Sequence, residues 1–69
     1  MEISARNQLK GTVSSITSGG VMCEVVVDVG GQSVVAAITK GSVERLGISE
    51  GSEVTVLIKA TEVMIATGS

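Results

Sequence analysis

Val21-Met22-Cys23-Glu24-Val25-Val26-Val27-Asp28-Val29 sets the architecture of this chain. Valine or cysteine occupies every second position, at 21, 23, 25, 27 and 29, while Glu24 and Asp28 fall between them. A period of two is the pattern of a β-strand with one buried and one solvated face. Ser18-Gly19-Gly20 before it and Gly30-Gly31 after it are turn signals. They predict strands from Gln8 to Ile16 and from Gln32 to Thr39 on either side. Further along, Val54, Val56 and Ile58 alternate with Thr55 and Leu57, predicting a fourth strand from Glu53 to Lys59. Glu62 to Ala66 reads as a short fifth strand. Between strands three and four, Ser42-Val43-Glu44-Arg45-Leu46-Gly47 offers an N-cap serine, an early acidic residue, apolar residues three apart and a closing glycine. That predicts one or two helical turns starting at Ser42. The expected fold is therefore all-β, a single domain over residues 1–69. It is a five-stranded OB-like β-barrel with one short helix between strands 3 and 4. The last residues, Ala66 to Ser69, are expected to fray.

A chain of 69 residues has a marginal core, because a domain this small buries only about 60% of the surface its unfolded chain exposes. Disulfides, a structural metal or oligomerisation usually compensate. Cys23 is the single cysteine and there is no histidine, so the first two routes are closed. The chain is 43% apolar without one aromatic residue. Runs such as Val25-Val26-Val27 and Val34-Val35-Ala36-Ala37-Ile38 are apolar on both strand faces, more than a one-sided monomeric sheet needs. A homo-oligomer is expected. A net charge of -2 supplies no positive field for a polyanion, and an OB module that reads single strands also needs stacking aromatics. No nucleic-acid partner is expected. No apolar run approaches the roughly 20 residues that cross a bilayer, the N-terminus shows no basic-then-apolar leader, and the lone thiol suits a reducing compartment. The expectation is a cytoplasmic protein with no membrane contact.

Catalysis has little to work with. No histidine is present, and Ser4, Ser14, Ser15 and Ser42 have no activating base near them in sequence. Glu24 and Asp28 stand roughly 13 Å apart along one strand face, too far for a retaining carboxylate pair, and read better as a solvated surface. The chain is not expected to be an enzyme. Counting donors is more informative: Ser4 and Arg6 precede strand one, Thr39 and Ser42 surround the helix start, and Lys59 ends strand four. A fully deprotonated dianion only accepts hydrogen bonds, so a site built of donors suits it, whereas protonated phosphate leaves its hydroxyl unpaired. Each residue also has a structural reading. Ser42 caps a helix with or without an anion, Arg6 and Lys59 serve as surface charges, and Thr39 is a common strand residue.

Ser4-Ala5-Arg6-Asn7-Gln8-Leu9-Lys10-Gly11 closely resembles the opening of the molbindins, the molybdenum-pterin-binding proteins of the Mop-domain family. The likeness continues through Ala37 to Gly47 and Glu50 to Val54, and ends with Leu57-Ile58-Lys59-Ala60-Thr61-Glu62-Val63-Met64-Ile65. The resemblance implies that Ser4 and Arg6 of one subunit face Thr39, Ser42, Lys59 and the Ala60 amide of another, with molybdate or tungstate between them. The metal is held as its oxyanion, without direct protein ligands and without a cofactor. It also implies a hexamer, a trimer of dimers. The donor constellation motivates the expected function, intracellular molybdenum storage and homeostasis. The alternative is an oxyanion-sensing regulatory or assembly subunit that contacts a partner protein. Free oxyanion is preferred to a pterin, because a chain without aromatics has no stacking surface for the ring.

Overall fold

The computed structural model describes residues 3–68. Four strands form one antiparallel sheet: β1 (Asn7–Gly19), β2 (Met22–Val29), β3 (Gln32–Thr39) and β4 (Glu53–Ile58). A helix, α1 (Lys40–Leu46), joins β3 to β4, and a 3-10 turn over Ala60–Glu62 follows β4. The order across the sheet is β3-β2-β1-β4. β1 is shared between two neighbours. Its first half, Asn7 to Thr12, pairs with β4, and its second half, Thr12 to Gly19, pairs with β2. At the crossing the register jumps between Val13 and Ser15, a β-bulge that leaves Ser14 without a partner residue. Such an extra residue bends the strand and increases its twist, which curls the sheet into an open half-barrel.

The alternation in β2 does what it predicts. Cys23, Val25 and Val27 are buried, while Glu24 and Asp28 are exposed. Rows of side chains across the sheet build the interior: Val13, Val27 and Val34 in one, Ile16, Val25 and Ala36 in the next. Val54 and Val56 of β4 and Val43 of α1 pack against this cluster. Valine is stiff at χ1 and prefers strands, so this core needs no large side chain. It is correspondingly thin: Val13 alone among the described side chains is more than 98% buried.

Two expectations are corrected. The fifth strand from Glu62 to Ala66 does not form: Ala60–Glu62 makes a 3-10 turn closed by Glu62 N–H donating to Lys59 O at 2.9 Å, and 63–68 pairs with no strand. Met64 and Ile65 are 92% and 86% exposed, so apolar residues of strand-like composition lie outside the sheet. Beside the core, an apolar cleft of about 240 Å³ remains open, lined among others by Val13, Ile38, Leu46, Ile48 and Val56. The N-cap of the helix is Thr39, not Ser42, and the helix starts three residues earlier than a Ser42 cap predicts. Thr39 is extended (φ -69°, ψ 151°), and its side chain accepts from Ser42 N–H. Gly47 closes the helix in the left-handed conformation at φ 65°, as the sequence predicts. Of the segment expected to fray, Ser69 lies outside the described residues, as do residues 1 and 2 of the expected domain.

Candidate functional site

The N-terminal segment keeps the strand period before β1 begins. Ala5 is buried, whereas Ser4 and Arg6 on either side are exposed. Two side-chain amides fasten the segment: Gln8 Nε2 donates to Ala5 O at 3.0 Å, and Asn7 Nδ2 donates to Ile58 O at 3.2 Å. The second bond ties the start of β1 to the end of β4, where Asn7 is paired with Ile58. Lys59 follows immediately. The result is a cleft of about 400 Å³ lined by Ser4, Arg6, Lys59, Ala60 and Thr61. It holds two cations, hydroxyl donors and no carboxylate. Ala60 opens the 3-10 turn, whose first amides have no partner within the turn. A second polar cleft, of about 420 Å³ between β1 and β4, is lined by Lys10 and Thr12 but also by Glu53, whose carboxylate opposes an anion.

Thr39 and Ser42 sit elsewhere. Thr39 is opposite Met22, which is opposite Gly19 at the far end of β1. Arg6 and Lys59 flank the opposite end, at the Asn7 to Ile58 pair. The two groups of donors thus flank opposite ends of the 13-residue β1, and neither Thr39 nor Ser42 lines the cleft of Arg6 and Lys59. The helix-start group is tightly bonded within itself. Thr39 Oγ1 and Ser42 Oγ share a hydrogen bond of 2.8 Å, Thr39 Oγ1 accepts from Ser42 N at 3.0 Å, and Arg45 Nη2 donates to Ser42 Oγ at 3.0 Å.

Of the six residues expected from the sequence, the structure therefore brings Ser4, Arg6, Lys59 and Ala60 together in one cleft and Thr39 with Ser42 in a second place. Two residues were missed. Thr61 lines the cleft next to Ala60, and its hydroxyl two residues after Lys59 was the available signal. Arg45 reads in sequence as a routine last-turn cation. No group of three or more His, Cys, Asp or Glu side chains among the described residues could hold a metal ion.

A curled antiparallel half-barrel with one short helix and a donor-lined cleft defines a small all-β binding module. The TOBE domain model matches residues 3–65. Molybdenum-pterin-binding protein 3 of Clostridium pasteurianum is 52% identical over 66 residues, covering 94% of this chain and 97% of the relative. Among solved structures, a molybdate-binding protein from Sporomusa ovata superimposes with a TM-score of 0.93 at 46% identity, covering 97% of this chain and all of that one. The cytoplasmic molybdate-binding protein ModG, with molybdate bound, superimposes with a TM-score of 0.83 at 39% identity, covering 87% of this chain and 43% of ModG. The chain belongs to the TOBE-domain family, among its molybdenum-pterin-binding members.

Proposed function

We propose that this chain binds molybdate or tungstate as the intact oxyanion, at interfaces between copies of itself, and serves as a cytoplasmic molybdenum store. The observation that carries the reading is the cleft of Ser4, Arg6, Lys59 and Ala60, which offers only donors and two positive charges to a dianion. Charge-assisted hydrogen bonds from arginine and lysine are roughly twice as strong as neutral ones. Thr39 and Ser42 complete the shell from another subunit, together with the Gly41 amide, since the Ser42 amide is taken by the Thr39 cap. Their distance from the cleft within one chain supports a shared site. Self-association is further supported by the open apolar cleft and by the exposure of Met64 and Ile65, since apolar surface left in water favours a partner of its own kind. The proposed assembly is a hexamer built as a trimer of dimers.

Binding without catalysis is the function. The chain contains no histidine, and the Ser42 hydroxyl is engaged with Thr39 and Arg45 rather than with a base. No helix among the described residues is long and apolar enough to cross a membrane. The cytoplasmic placement draws on ModG and on the buried free thiol of Cys23.

Native mass spectrometry with and without molybdate tests the proposal, since it reports subunit number and bound ions together. A hexamer that gains molybdate and ignores phosphate is expected. Calorimetric titration of Arg6→Ala supplies the site test: loss of hydrogen bonds from a charged group, about 1.5–3 kcal/mol, weakens binding roughly 10- to 150-fold. A variant that binds molybdate as tightly as the parent removes Arg6 from the site.

A further inference from the structure

We infer that Arg45 is a positioning residue of the oxyanion site: by donating to Ser42 Oγ it holds the Thr39–Ser42 hydroxyl pair so that the one hydroxyl hydrogen the pair does not spend internally is aimed at the ion. The inference rests on the reading that Ser42 faces the oxyanion, and it comes from counting hydrogens. A hydroxyl has one hydrogen and two acceptor positions. One of the two hydroxyl hydrogens is spent in the 2.8 Å bond between Thr39 Oγ1 and Ser42 Oγ, and Thr39 Oγ1 also accepts the Ser42 amide. Ser42 Oγ also accepts from Arg45 Nη2 at 3.0 Å. The second hydroxyl hydrogen then has no acceptor inside the cluster. Tetrahedral geometry directs it away from the bonds already made. An acceptor-only dianion is the complementary partner.

Division of labour follows within the group. Thr39 holds the helix start, Arg45 holds Ser42, and the hydroxyl pair makes the contact. A cation donating to one oxygen of the pair polarises the remaining O–H and strengthens it by about 10–30%. Arg45 reaches back to do this. A cation in the last turn of a helix ordinarily faces the terminal carbonyls, but this guanidinium bonds a side chain three residues earlier, along the same helix face. It also lies over the first turn, with Nη1 3.5 Å from where a Cβ on Gly41 would stand. The guanidinium is planar and keeps its charge at any working pH, so the arrangement does not depend on protonation.

A double-mutant cycle tests the inference by molybdate titration of the full chain at fixed ionic strength, with circular dichroism confirming the fold of each variant. Arg45→Ala is expected to weaken binding about three- to tenfold, the worth of one ordinary hydrogen bond. In a Ser42→Ala background the same substitution is expected to change affinity by less than about twofold, because its intermediary is gone. Arg45→Lys, which keeps a charged donor, is expected to recover most of the loss. An equal loss with and without Ser42 makes Arg45 a distant charge or a helix stabiliser and overturns the inference. So does Arg45→Ala binding as the parent does. A parent chain that binds no molybdate overturns the oxyanion reading itself, and this inference with it.

Discussion

Replacing Gly11 by alanine places a methyl group where β1 passes from one neighbour to the other. The new Cβ stands 2.6 Å from Asp28 O, 2.7 Å from Val27 Cγ1 and 3.0 Å from Val29 Cγ2. Favourable carbon contacts lie near 3.5–4.0 Å, so the overlap approaches an ångström. The nearest atom is a main-chain oxygen of β2 that cannot rotate aside, and Val27 is only 3% exposed. Overpacking of this kind costs about 1–3 kcal/mol, offset by about 0.4–1 kcal/mol from the less flexible unfolded chain. A net loss of about 1–2 kcal/mol lowers the melting temperature by roughly 4–16 °C in a domain of this size. Calorimetric melts at one fixed protein concentration read it directly. Gly41→Ala is the control: its Cβ meets only the far end of the flexible Arg45 side chain at 3.5 Å, and alanine favours a helix over glycine by about 1 kcal/mol. It is expected to melt at or above the parent temperature. A Gly11→Ala protein that melts with the parent refutes the close approach of β1 and β2 at this point.

Thr39→Ala removes the N-cap oxygen and is expected to cost about 0.5–2 kcal/mol; hydrogen exchange at the Ser42 amide should accelerate, and an unchanged rate means that Thr39 does not cap the helix. Ile65→Asp replaces an apolar side chain worth about 1.5–3 kcal/mol when buried. If a second copy covers 63–68, the substitution raises the dissociation constant of the assembly at least roughly tenfold, read by native mass spectrometry across a dilution series. An assembly that holds together unchanged places this segment outside the subunit contacts.

The strands were legible because burial on one face writes itself into alternate residues. Val21 to Val29 carried the pattern in full, although Val21 proves 78% exposed and belongs to the turn. The fifth strand was misread for a reason the same pattern cannot show. Glu62 to Ala66 has the composition of a strand, but a strand also needs a partner, and after the 3-10 turn that follows Lys59 residues 63–68 pair with none in this chain. At the helix start, Thr39 and Ser42 carry equivalent capping chemistry. Thr39 is the cap because it ends β3 in an extended conformation with its oxygen three residues ahead of the amide it accepts. Donor chemistry and the family resemblance named four residues that share a cleft, while Arg45 escaped because only the folded side chain reveals that it turns back toward Ser42.

The bulge in β1 has a consequence for how the chain tolerates changes of length. Deleting one residue from a strand normally sends every later side chain to the opposite face. Ser14 is the exception. Val13 and Ser15 already face consecutive residues of β2, Val27 and Val26, so removing Ser14 leaves Val13 and Ile16 both turned toward the interior. What disappears is the bend, and with it the Ser14 Oγ bond to Val26 O at 3.1 Å. Sequence register and sheet curvature, which a deletion elsewhere in β1 disturbs together, are separable at this single position.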